Sequence, residues 1–172
     1  MDLSSLAPSD IVVTLRGLER RYRGLFAGLG EDESPDDIAH RVVGGWSPIE
    51  HTVAGAWGIA AADRALAAVL ADDSPTLDAA DVDPDARPKP GAVTGNLHER
   101  LAELGLEANA AADRVHSTPA GDWGRTGVVA GTGRQVTALD LARLAVDAGV
   151  SHLRAAEDVL ARVRRTPPPE PR

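Results

Sequence analysis

Five histidines, His40, His51, His98, His116 and His152, are the side chains best suited by type to move protons near neutral pH or to bind a transition metal. His40, His98 and His116 have no second donor at a spacing that would place two ligands together, and are expected at the surface without a role. Phosphate chemistry would need a glycine-rich turn framed by a strand and a helix. Gly131-Thr132-Gly133 with Arg134 has the glycines without the frame and reads as a turn. The acids of Asp81-Val82-Asp83-Pro84-Asp85 are spaced like those of a calcium loop, but the central glycine and closing glutamate are missing, so a solvated loop is expected. Trp46, Trp57 and Trp123 are the large side chains that could wall a small-molecule pocket. Trp57, mid-helix among Ala and Ile, is expected in the core, whereas Trp46 and Trp123 suit wall or core equally.

The bulk of the chain limits what those residues can serve. Its 172 residues fit one domain. Hydrophobic residues make up 43% but aromatics only 3%, so Ala, Val and Leu must build the core, which suits close helix packing. Eighteen basic against 26 acidic residues leave a net charge of −8, which argues against nucleic acid and anionic membranes as partners. The absence of cysteine excludes disulfides, thiolate ligands and a cysteine nucleophile, and fits a reducing compartment. No basic leader precedes an apolar run, and no stretch is expected to reach the ~20 apolar residues of a membrane span, so a cytoplasmic location is the simplest expectation. High Ala, Asp and Arg with a single Lys suggests a bacterial source and says nothing of chemistry.

The elements that must position the candidates follow from caps and periodicity. Ser9 is expected to cap a helix with Ile11, Val12, Leu15, Leu18, Tyr22, Leu25 and Phe26 on one face, ending at Gly28 and Gly30. Ser34-Pro35-Asp36-Asp37 predicts a short helix that stops near Gly44-Gly45. Ser47-Pro48-Ile49-Glu50 is a capping box with proline at the first position and predicts a long helix from Pro48 to Ala71. Residues 72–95, rich in Pro and Asp, are expected to form an irregular excursion with little core, where mobility or a lid would sit. A third long helix runs from Asn96 to His116, with Leu97, Leu101, Leu104, Ala108, Ala111 and Val115 inward. Residues 122–136 suit a small hairpin or structured turn. Thr137 caps a last helix to Arg164, with Leu139, Leu141, Leu144, Ala145, Val150, Leu153, Ala156, Val159, Leu160 and Val163 inward. The tail from 166 to 172 reads as disordered, leaving one domain over 1–165. The fold class is all-α, a four-helix bundle with a long crossover.

Trp46-Ser47-Pro48-Ile49-Glu50, Thr137-Ala138-Leu139-Asp140-Leu141-Ala142, Val150-Ser151-His152-Leu153-Arg154 and the preceding Trp123-Gly124-Arg125, in this order, resemble the DinB-like superfamily that includes the mycothiol-dependent maleylpyruvate isomerase N-terminal domains. The resemblance spans nearly the whole domain. It implies a bundle holding a divalent metal, zinc or nickel, on one histidine eight residues after the tryptophan and an HxxxH pair of the last helix. It also implies thiol-dependent transferase or isomerase chemistry, with mycothiol or bacillithiol, and pairing into homodimers through the long helices. In this chain those ligand positions fall on Ala54, Asp147 and Ser151, of which only Asp147 keeps a useful donor.

His51 lies three residues before Ala54, about 60° around the helix, and is expected to border the same cavity. His152 lies one residue past Ser151, about 100° around, and is expected to point away from the axis if Ser151 faces it. His51, Asp147 and His152 are therefore the weak candidates for a rearranged metal site, and Trp46, His51 and Trp123 the candidate pocket walls. The expectation is a bundle with no cofactor and no catalytic role, binding an unidentified small ligand or a protein through the former metal cavity. The alternatives are a divergent metal- and thiol-dependent enzyme and a homodimeric interaction module.

Overall fold

The computed structural model describes residues 5–27, 45–84, 87, 93 and 96–165. The short helix expected after Ser34, His40 and the tail after 165 lie outside these residues. The chain is predominantly helical, and the described residues form four long helices and a small sheet.

Helix α1 spans Pro8–Ala27. Ser9 is already inside it and does not cap it; proline takes the first position, and the Asp10 carboxylate accepts the Ala7 amide at 3.3 Å. Helix α2 spans Pro48–Ala71 and opens with the expected capping box. The Glu50 amide donates to Ser47 Oγ at 3.3 Å, and the Ser47 amide donates to Glu50 Oε2 at 2.6 Å. By length and composition α2 is apolar enough to cross a membrane, contrary to expectation, but most of that surface is buried against the other helices.

The excursion after α2 is less irregular than its composition suggests. Thr76–Leu77 form strand β1 and Ala79–Val82 the short helix α3, whose cap is Asp78. Leu77 and Val82 are buried, so this segment does contribute to the core: one apolar side chain from each short element reaches it between exposed acids. Arg64 on α2 ties it down through Asp81 at 2.7 Å, which also removes Asp81 from the expected solvated acid loop.

Helix α4 spans Leu97–Ser117 behind the Asn96 cap. A 3-10 turn, Ala120–Gly124, leads into the hairpin of β2, Thr126–Val129, and β3, Gln135–Thr137. Strand β2 is central, parallel to β1 with Thr76 opposite Val128, and antiparallel to β3 with Gly127 opposite Val136. Gly131 and Gly133, at φ 78° and 68°, make the hairpin turn. Helix α5 then spans Ala138–Arg165, where the Asp140 amide donates to Thr137 Oγ1 at 3.1 Å and the Thr137 amide to Asp140 Oδ2 at 3.2 Å.

Each long helix packs mainly on two others, in the cyclic order α1, α4, α2, α5, with the α2–α5 contact the most extensive. Leu15, Leu18, Ile59, Leu104, Leu141 and Leu153 fill the space they enclose. Trp57 is not among them and is 42% exposed. The reason is phase: Gly55, Gly58 and Ala62 face the neighbouring helices, and Trp57 projects about 100° away from Gly58 toward solvent.

The closeness of α2 and α5 rests on residues without bulk. A Cβ at Gly58 would lie 2.6 Å from the Ala148 Cβ, and one at Gly149 would lie 2.5 Å from Leu18 Cδ1 and 3.2 Å from Ile59 Cδ1. Replacing a helical glycine by alanine ordinarily stabilises by about 1 kcal/mol. At Gly149 overpacking reverses that sign, and Gly149→Ala is expected to lower the stability by roughly 1–3 kcal/mol in urea denaturation. A neutral or stabilising result would show that Leu18 of α1 and Ile59 of α2 do not close on Gly149 at these distances.

Candidate functional site

His51 stands one turn into α2, where its amide donates to the Ser47 carbonyl at 3.0 Å, so the capping box that starts the helix also sets the imidazole's position. His152 comes from the middle of α5. The two rings meet across the seam with Nδ1 to Nδ1 at 3.2 Å. At that distance one ring donates its N–H and the other accepts, so the pair holds one proton between its inner nitrogens. Trp46, immediately before the cap, stacks on His152 with centroids 5.7 Å apart and planes 18° apart, and lies 5.4 Å from His51 at 55°.

The floor of this cluster is polar. Tyr22 of α1 reaches under it and donates its hydroxyl to the Gly149 carbonyl at 2.9 Å, and burial raises the phenol's pKa well above its ordinary value. Gly55 makes room for both, since a Cβ there would lie 2.9 Å from the Tyr22 hydroxyl and 3.5 Å from the His152 Cβ.

Burial disfavours the charged form of both imidazoles. Burial lowers the His51 pKa, with Arg162 adding to the effect and Glu50 opposing it. Burial lowers that of His152 to about 4, assisted by His51 and Arg87 and opposed by Asp147.

The condition under which His152 would turn away, Ser151 facing the axis, does not hold, and the reason is one residue of helical phase. Ala145, Gly149, Leu153 and Ala156 set the buried stripe of α5, which carries His152 toward α2 and leaves Ser151 exposed. Ser151 Oγ instead donates to Asp147 Oδ1 at 2.9 Å along the outer flank of the same helix. The signal was available, because His152 continues the three- and four-residue spacing of Ala145, Gly149 and Ala156. His51 contributes one of the two rings of the cluster. Ala54 is buried beside it and offers only a methyl group.

The divalent metal implied by the resemblance is not matched by its three positions: one is a hydrocarbon, and the other two are hydrogen-bonded to each other. Among the described residues no three His, Asp or Glu side chains converge as a metal set.

Trp123 packs, partly buried, against the core near the start of α5, where the Arg125 carbonyl accepts the Ala138 amide. That is ~21 Å along α5 from His152, so Trp123 does not wall this site. His98 and His116 are exposed, as expected. His98 edges a separate open groove of about 310 Å³ with Arg23, Phe26, Leu97 and Leu101.

Compared with known proteins, the chain matches no family model, and no curated protein or solved structure matches it.

The low His152 pKa couples folding to pH. The unfolded chain takes up this proton near the ordinary 6.5, whereas the folded chain resists it down to about 4, so stability is full above the upper value and is lost as pH falls through that window. The urea midpoint is expected to drop between pH 7 and pH 5, and less so for His152→Gln. Equal drops in both proteins would mean that His152 is not held neutral by the fold.

Proposed function

We propose that this chain is a DinB-like four-helix bundle in which a hydrogen-bonded imidazole pair stands in place of the family's metal triad, and that the pair is a metal-free binding site for a small ligand. The cyclic packing of four long helices and the long connection between α2 and α4 support the bundle reading. The observation that carries the binding reading is the 3.2 Å contact of His51 Nδ1 with His152 Nδ1 beside the Trp46 ring.

The chemistry of that pair suits recognition. With one proton held between the inner nitrogens, the two Nε2 edges divide into one N–H donor and one lone-pair acceptor. Trp46 adds an apolar, polarisable surface alongside them. Among the described residues the nearby hydroxyls are otherwise engaged: Tyr22 keeps its proton in a bond to the Gly149 carbonyl, and Ser151 points to Asp147 on the outer flank. Binding without turnover is therefore the reading we favour.

The same distance favours a second reading. Two nitrogens bound tetrahedrally at 2.0–2.1 Å from a zinc ion stand roughly 3.3 Å apart, close to the separation here. On that reading His51 and His152, with Asp147 nearby, form a rearranged site of a metal- and thiol-dependent transferase or isomerase.

Elemental mass spectrometry of protein purified without an affinity tag or chelator separates the two. No stoichiometric zinc or nickel is expected, with or without His51→Ala. About one ion per chain, lost in His51→Ala, would overturn the metal-free reading in favour of the rearranged metal site.

A further inference from the structure

The imidazole pair does not stand alone on its seam. One turn further along α2, Gly58 faces Ala148, and the Arg87 guanidinium lies over that glycine with Nη1 2.8 Å from where a Cβ would be. His152 lies in the same way over Gly55, with its Cβ 3.5 Å from that residue's Cβ position. Residues three apart on a helix surface have their Cβ positions ~5–6 Å apart, so guanidinium and imidazole occupy successive turns of one groove.

Arg87 is fastened for this position. Its Nε donates to the Ala80 carbonyl at 2.9 Å and its Nη2 to the Asp81 carbonyl at 3.2 Å, which orients the fork with Nη1 toward the seam. Along the seam Glu50 closes the α2 cap and Asp147 accepts from Ser151; on the other side Asp81, whose carboxylate pairs with Arg64, and Asp83 act on the Arg87 charge. In a chain of net charge −8, this seam brings the Arg87 guanidinium near enough to His152 to disfavour charge on its ring.

We infer that the seam beside the imidazole pair is an oxyanion site, in which Arg87 Nη1 and the donor Nε2 edge of the pair receive the carboxylate or phosphate group of a small ligand whose apolar part rests on Trp46. This rests on the reading of the pair as a ligand site and gives that site a ligand class. A planar guanidinium with two of its nitrogens already fixed loses little freedom in meeting an oxyanion, and a charge-assisted bond in a half-buried seam is stronger than one in open solvent. Gly58 has a double part here, since a methyl group would press on both Ala148 and the guanidinium.

The test follows the imidazole ¹⁵N and ¹H signals of the full chain at fixed pH and ionic strength during titration with inorganic phosphate and, separately, with benzoate. Saturable shifts are expected at His51 and His152 and not at the exposed His98 and His116, for at least one of the two anions. Preference for phosphate or for benzoate tells which oxyanion the ligand carries. Arg87→Gln is expected to weaken the response about tenfold or more, whereas Arg16→Gln, at an exposed position of α1 paired with Asp113, leaves it unchanged.

If Arg87→Gln loses the native spectrum, Arg87→Lys carries the test, with benzoate weakened severalfold because the fork is lost. No saturable response to either anion, shifts shared equally by the exposed His98 and His116, or unaltered affinity in the Arg87 variant would each overturn the oxyanion site. Stoichiometric metal would overturn the metal-free reading by itself. Metal-free protein that ignores both anions would remove this ligand class and leave that reading standing.

Discussion

The close approach of α2 and α5 is the constraint on which the rest depends. Gly55, Gly58, Ala148 and Gly149 strip the seam of side-chain bulk, and two imidazoles on different helices can then come within 3.2 Å of each other. Larger residues would move the helices toward the upper end of the usual 8–10 Å spacing, and the ring nitrogens would part. The same bareness exposes the Gly149 carbonyl to the Tyr22 hydroxyl, so α1 is coupled to the seam by a polar contact beneath the apolar ones. Close packing and polar chemistry thus have one origin here.

Most of the helical framework was legible because its signals are local. Ser47-Pro48-Glu50 predicts the start of α2, Asn96 precedes α4, and Thr137 with Asp140 fixes the start of α5, each through contacts within three residues of the cap. Where the signal is a phase, legibility fell. The side taken by His152 turned on whether Ser151 is the inward residue, which it is not, and Trp57 was assigned to the wrong side of its helix by reading apolar neighbours as burial. The buried strand and helical turn within residues 72–84 were hidden because only Leu77 and Val82 among many polar residues reach the core. Arg87 carried no signal at all, since its position depends on a glycine nearly thirty residues earlier and on two carbonyls of its own loop.

Arginine does in this chain what lysine could not. Its forked head joins elements by binding main-chain carbonyls that helix ends and turns leave without partners. Arg125 takes the Val69 and Asp72 carbonyls where α2 finishes, and Arg143 takes the Leu6 carbonyl just before α1 begins. Arg114 grips Asp63 through two nitrogens, at 2.6 and 3.0 Å, and so joins α4 to α2. Such contacts need two or three directed N–H groups on one rigid plane, which a single ammonium on a flexible stem does not supply.

The three-stranded sheet gives the seam a mechanical asymmetry. Strand β1 leaves the C-terminal end of α2, β3 runs into the N-terminal end of α5, and β2 hydrogen-bonds both. The antiparallel pair α2 and α5 is therefore riveted at one end by a β-ladder, while toward the other end it is joined by side-chain packing, the imidazole contact and the Trp46 stack on His152. Separation at the riveted end would break several backbone bonds together, whereas separation around His51 and His152 would break side-chain contacts only, so the two ends of one seam resist opening by different means.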